Sequence, residues 1–177
     1  DPEAMRSKCA AVFQDFLQYQ RSAAENVGYG RVETMEDVPR IQAAAIASGA
    51  SEFIDHLPDR YETTLGRYFT GGQDLSRGQW QKLALSRAYF REAQFLVFDE
   101  PTAALDPRAE VEVFKQFRAL AEGKSAIFVS HRMASARVAD RIMVLKGGYL
   151  VEHGTHDELL NLAGEYARMF TLQAKWY

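Results

Sequence analysis

Cysteine is nearly absent: Cys9 is the single one in the chain. No internal disulfide can form, and a reducing, cytosolic setting is the expectation. Long apolar runs are missing too. Phe95–Phe98 and Ala126–Val129 are of strand length, far short of the roughly 20 residues that span a bilayer, and no signal-peptide pattern is visible. Any membrane association is therefore expected to come through another segment or chain. Charge of one sign is also lacking, with a net of −3 and a pI near 5.8. That removes the electrostatic case for nucleic acid as principal partner. Histidine is sparse, and His56, His153 and His156 have no cysteine or spaced histidine partners, so no zinc-type site is expected. No repeat or low-complexity tract appears. What remains is a 177-residue chain with 47% hydrophobic residues, suited to one globular domain or to a domain with an inserted subdomain.

The most informative stretch is Phe95-Leu96-Val97-Phe98-Asp99-Glu100-Pro101-Thr102-Ala103-Ala104-Leu105-Asp106. Four large apolar residues in succession predict a strand buried on both faces, as in a parallel sheet. Pro101 ends the ladder because it brings no N–H donor. Asp99 and Glu100 then emerge at the carboxyl end of the strand, where α/β sheets bind ligands. Such a pair suits phosphoryl transfer: one carboxylate holds Mg²⁺ through its waters while the other orients or deprotonates an attacking water. Alone, this stretch fits a strand followed by an acidic helix cap equally well. Its neighbours decide the matter.

Upstream lies Leu75-Ser76-Arg77-Gly78-Gln79-Trp80-Gln81-Lys82-Leu83-Ala84-Leu85-Ser86-Arg87-Ala88. Ser76 is suited to cap a helix running to about Tyr89, with Leu83, Ala84, Ala88 and Trp80 on its buried side. A helix start offers free N–H groups and a positive dipole end, and Gly78 lets an anion approach the backbone. Together LSRGQ, the FDEP strand end, the AALD turn and Ser130-His131-Arg132 resemble the nucleotide-binding domain of ABC transporters. Val12-Phe13-Gln14-Asp15 resembles that family's Q-loop. The motifs stand in the family's order and cover nearly the whole chain.

The resemblance implies a P-loop NTPase (RecA-like) α/β core with an inserted α-helical subdomain, incomplete at the N-terminus. It divides the chain into a core remnant with the Q-loop (1–18), a helical signature subdomain (19–94), and core with Walker B, D-loop and H-loop (95–177). By the same resemblance Glu100 activates water, Gln14 touches the Mg²⁺ or that water, and His131 senses the γ-phosphate. Asp99 and Gln14 are the implied Mg²⁺ ligands. Ser76, Arg77, Gly78, Gln79 and Asp106 are the implied nucleotide-binding residues, acting on ATP. Arg77 stands where the family more often has glycine, which leaves its role open. The implied partners are a second nucleotide-binding domain and transmembrane domains, at the cytoplasmic face of the cell membrane. Phe53-Ile54-Asp55-His56-Leu57-Pro58, Tyr61 and Thr64-Leu65-Gly66 are closest to exporter-type members. Tyr19 to Asn26 and Arg67-Tyr68-Phe69 occupy the region that meets membrane domains, although their aromatics equally suit packing within the subdomain.

The remaining segments read as scaffold. Asp1 and Pro2 begin a short helix, Lys8 to Phe13 a short strand. Asp37 to Ala47 is helical with an apolar stripe of Val38, Ile41, Ala44, Ala45 and Ile46, and a second helix runs from Ser51 to Leu57. After Asp106, a cap, Val111, Phe114, Phe117 and Leu120 form the core side of a helix that Pro107 begins. Ala126–Val129 is the next buried strand, and His131 shares its carboxyl edge with Gln14, Asp99 and Glu100. Arg141–Leu145 and Tyr149–Glu152 form a hairpin around Lys146-Gly147-Gly148. Thr155-His156-Asp157-Glu158 is a capping box for a helix through Leu162, and Glu165 to Lys175 is a final amphipathic helix.

One motif is not there. The phosphate loop G-x-x-x-x-G-K-[ST] has no match, because Gly123-Lys124-Ser125 has Arg118 where the first glycine belongs and leads from helix to strand. An aromatic to stack on adenine is also missing upstream. The expectation is that these residues are the C-terminal part of an ABC ATPase domain, inactive alone. Alternatives are a non-catalytic pairing module that completes a partner's ATP site, and a soluble ABC ATPase outside transport.

Overall fold

A computed structural model describes residues 1–68, 71–100, 107–137 and 139–174. The chain resolves into two compact units, 1–129 and 130–177.

The first unit begins with α1 (Pro2–Ser7), capped by Asp1, whose carboxylate accepts from the Glu3 N–H at 3.0 Å. Three short strands follow along the chain: β1 (Cys9–Val12), β2 (Phe95–Asp99) and β3 (Ser125–Val129). They form one parallel sheet in the order β1-β2-β3, with Val12 opposite Phe98 and Asp99 opposite Val129. Between β1 and β2 lie α2 (Ala23–Gly28), α3 (Val38–Ala47), α4 (Ser51–Ile54) and the long α5 (Arg77–Arg91). Between β2 and β3 lies α6 (Pro107–Ala121). Parallel neighbours need such helical crossovers.

Helix α5 serves two cores. Its Trp80, Leu83 and Phe90 pack with Val27, Ile41, Ala45, Ile54 and Leu65 of the helical segment. Its Leu85 and Ala88 pack with Val12, Leu96, Phe98, Phe117 and Leu120 against the sheet. A helix apolar on two sides is what joins a helical insertion to a sheet without a separate linker.

Several expectations need correction. Strands β2 and β3 are not buried on both faces: Leu96 and Phe98 are fully covered, whereas Phe95 and Val97 are half-exposed, and Ile127 and Val129 are exposed. The side chains that seal the core, from α5 and α6, meet the sheet face carrying Leu96 and Phe98. In α3 the buried stripe is Ile41, Ala44 and Ala45; Val38 and Ile46 face outward at 57% and 66% exposure. The helix expected over 51–57 ends at Ile54, after which the His56 and Leu57 N–H groups bond to carbonyls three residues back, the tighter pattern of a turn.

The second unit holds an antiparallel hairpin, β4 (Ile142–Lys146) and β5 (Tyr149–Gly154), with α7 (Met133–Ala136), α8 (His156–Asn161) and α9 (Glu165–Ala174). Lys146 pairs with Tyr149 across Gly147 and Gly148, both at positive φ (58° and 82°). A two-residue turn of this hand matches the twist of the strands, and glycine adopts it without steric cost. The capping box expected at Thr155 is present, with Thr155 N–H donating to Glu158 at 2.8 Å. Ile142, Val144, Leu159 and Tyr166 form this unit's core.

Candidate functional site

Each strand of the parallel sheet ends at the same edge. Because Val12 lies opposite Phe98, Gln14 and Glu100 each stand two residues past a register pair, and Asp99 lies one past it. The sequence thereby delivers an amide and two carboxylates to neighbouring strand ends. Gln14 is exposed, while Asp99 and Glu100 are half-buried.

Glu100 has left-handed backbone, φ 44°. A residue with a Cβ adopts that region at a cost, and such positions gather at functional sites. Its N–H donates to the carbonyl of Val129 at 2.9 Å. That bond extends the β2–β3 ladder by one step and fixes where the Glu100 side chain leaves the sheet.

The signature segment builds the second part of the site. Ser76 caps α5 with a complete box: its hydroxyl accepts from Gln79 N–H at 3.3 Å, and Ser76 N–H donates to the Gln79 side chain at 2.8 Å. This gives Gln79 a structural duty that the sequence reading had not isolated, although S-x-x-Q is the signal for it. Trp80 is buried, as are Leu83, Ala84 and Ala88, whereas Ser76, Arg77 and Gly78 at the start of the helix are exposed. A Cβ at Gly78 would meet nothing within 4 Å among the described residues, so no packing among them requires glycine there. Its open side leaves the first turn approachable by another molecule.

Gln14 and Arg77, 63 residues apart in sequence, line one cavity of about 340 Å³ with Asp15, Phe16, Asp74 and Trp80. The aromatics left open by sequence divide: Tyr19 packs on Tyr29, ring centroids 4.7 Å apart, whereas Tyr68 is 89% exposed. Phe69 and Asp106 lie outside the described residues, as does the AALD turn.

His131 opens the second unit, two residues after β3, and is exposed. Its carbonyl accepts from the Gln173 side chain at 2.6 Å, and the same side chain accepts from Met133 N–H at 2.9 Å. One amide of α9 therefore pins the backbone on which His131 sits.

Sequence reading missed two polar residues of the first unit. Asn26 is fully buried and Arg87 half-buried, and they bond to each other. The capping box Ser22-Ala-Ala-Glu25 was a legible signal for α2, which places Asn26; its Glu25 N–H donates to Ser22 at 3.1 Å.

A parallel sheet with an amide and two carboxylates at its carboxyl edge, and a capped helix start presented to solvent, defines an α/β nucleotide-binding domain with an inserted helical segment. Residues 1–103 match the ABC transporter family, and the chain belongs to that family. It is 41% identical over 169 residues to the subtilin transport ATP-binding protein SpaT of Bacillus subtilis, covering 96% of this chain and 28% of that protein. It is 39% identical over 173 residues to the ATP-dependent lipid A-core flippase of Burkholderia orbicola, covering 98% and 28%. The nisin transport ATP-binding protein NisT of Lactococcus lactis is 36% identical over 168 residues, with 95% and 28% covered. Among solved structures, a bacterial Atm1-family ABC exporter with ATP bound superposes with a TM-score of 0.83 at 34% identity, covering 96% of this chain and 29% of that one. The chain thus spans under a third of the length of the relatives it matches. Among the described residues no helix is long and apolar enough to cross a membrane.

Proposed function

We propose that the chain is the part of an exporter-type ABC transporter that binds and hydrolyses ATP at the cytoplasmic face of the membrane. The observation that carries this reading is the shared edge: Gln14, Asp99 and Glu100 at the ends of adjacent parallel strands, in a family of nucleotide-driven transporters.

In this reading Glu100 accepts a proton from the attacking water. Its half-buried position at the strand end suits a general base held in fixed geometry. Gln14, on the neighbouring strand end, orients that water, and His131 donates to a γ-phosphate oxygen. The donors of Asp99 and Gln14 are hard oxygens suited to Mg²⁺. Held there, Mg²⁺ would supply neutralisation of the charge that develops on the phosphate. Ser76, Arg77, Gly78 and Gln79, with Asp106, meet the nucleotide of an opposing nucleotide-binding domain. Their support is the exposed helix start and the open space at Gly78. Transmembrane domains are the other partners, and the exporter assignment rests on the transport ATP-binding proteins and flippases among the relatives.

The test is Ser76→Arg in the assembled transporter. A bulky cation at the cap is expected to block ATP-dependent closure of the paired domains while nucleotide binding in the open state persists. Mixed with intact subunits, the variant should spoil one of the two sites. Loss of nucleotide by the open, unpaired variant would show that Ser76 serves its own subunit's site.

A further inference from the structure

Arg87 lies three turns beyond the start of α5, about 16 Å along the helix from Ser76. It touches neither strand end, yet the backbone that carries Gln14 is fastened to it. Arg87 Nη1 donates to the carbonyl of Leu17 at 2.7 Å, Nε to the carbonyl of Asn26 at 2.8 Å, and Nη2 to Asn26 Oδ1 at 2.7 Å. Its guanidinium lies over the Tyr19 ring, 4.8 Å from the centroid. Asn26, fully buried, turns its amide nitrogen to the carbonyls of Tyr19, Arg21 and Ser22 at 2.9, 3.3 and 3.0 Å. One side-chain pair thus ties residues 17–26 to a single helical position.

One turn further on, Arg91 repeats the device. It donates to the carbonyls of Cys9, Gly30 and Arg6, the last two at 3.0 and 2.8 Å. The loop at Gly30 also rests directly on α5, since a Cβ there would overlap the Arg87 carbonyl oxygen. Gln14 therefore sits in a short span between two anchors, Cys9 and Leu17, both held from one face of α5. The same helix begins with the signature residues, and Gln14 shares a cavity with Arg77 and Trp80 of its first turn.

We propose that Arg87, with Arg91 as second anchor, is a positioning residue that sets Gln14 against the signature end of α5, so that Gln14, which serves the chain's own nucleotide, and the signature turn, which meets the opposing domain's, move as one body. The proposal rests on the ATPase reading above. It explains why arginine stands at this half-buried position: burial pulls the guanidinium down to about 10, so the group stays charged at neutral pH and needs these partners. Lysine keeps the charge but cannot supply the planar fork that grips two carbonyls and an amide at once.

The experiment is a double-mutant cycle in the assembled transporter, with Arg87→Lys, Gln14→Ala and their combination, reading kcat and KM for magnesium-ATP and the melting temperature of each. Arg87→Lys is expected to lower kcat about tenfold with KM changed less than about twofold, the signature of misplaced geometry at the chemical step. On the Gln14→Ala background the same change should lower kcat no further, because the residue it positions is gone. A purely structural arginine would multiply the two losses, and that result, or an unchanged kcat in Arg87→Lys alone, overturns the proposal. Tyr19→Leu removes the ring beneath the guanidinium and leaves the hydrogen bonds, and it should show a smaller kcat loss that also vanishes on the Gln14→Ala background. Should Arg87→Lys fail to fold, this variant decides the question. The unaltered transporter separates the two levels of the argument: if it shows no magnesium-dependent ATP hydrolysis, the ATPase reading falls and the Arg87 proposal with it. If it hydrolyses ATP and the cycle is multiplicative, only the Arg87 proposal falls.

Discussion

Replacing Glu100 with glutamine is expected to leave ATP binding intact and to lower hydrolysis by about 10²–10⁴-fold, the range a positioned general base contributes. The substitution keeps the size of the side chain and its place after β2 but removes the proton acceptor. The left-handed backbone at φ 44° and the 2.9 Å bond from the Glu100 N–H to Val129 are main-chain features, so glutamine inherits the same geometry. Asp99, the residue before it, retains its charge, so the site still attracts a cation. Single-turnover hydrolysis beside equilibrium nucleotide binding checks this. A turnover near that of the unaltered protein would remove Glu100 from the role and move attention to His131. If binding and hydrolysis fell together, Glu100 would be holding the nucleotide rather than activating water.

How far the sequence foretold the structure depends on the distance over which each signal acts. Helix α5 was legible from Ser76 to Tyr89 because its cap and its apolar spacing are local, and it ends two residues later, at Arg91. The hairpin at Gly147-Gly148 and the box at Thr155 were legible for the same reason. The parallel strands were recognised by their apolar runs, but one uncovered face could not be read from composition. Val97 and Ile127 are as apolar as Leu96, and only the placement of α5 and α6 separates them. Gln14, Asp99 and Glu100 were legible as strand-end residues because motif and strand end coincide in sequence. Arg87 was missed because its partners lie 61 and 70 residues away. An arginine inside an amphipathic helix looks like solvated surface until tertiary structure brings carbonyls to it.

Phe98→Ala is expected to be the most damaging single truncation in the sheet, costing about 3–5 kcal/mol. Phe98 is completely buried on the middle strand, its ring 4.4 Å from that of Phe117 and stacked on Phe128 at 4.5 Å. Alanine there removes both aromatic contacts and leaves a hole between α6 and β3 that neighbouring backbone cannot close. Against a total stability of about 5–15 kcal/mol, that loss is a large share. The damage reaches the site, because Phe98 immediately precedes Asp99 and is the register partner of Val12, two residues before Gln14. Slackening this one pair loosens both strand ends together. Tyr68→Ala is the control: at 89% exposure its loss should stay within about 0.5 kcal/mol. Denaturant unfolding of the two variants in parallel provides the comparison. Equal midpoints would mean that Phe98 does not occupy the packed centre of the sheet and that the edge bearing Asp99 and Glu100 is held by something other than this aromatic cluster.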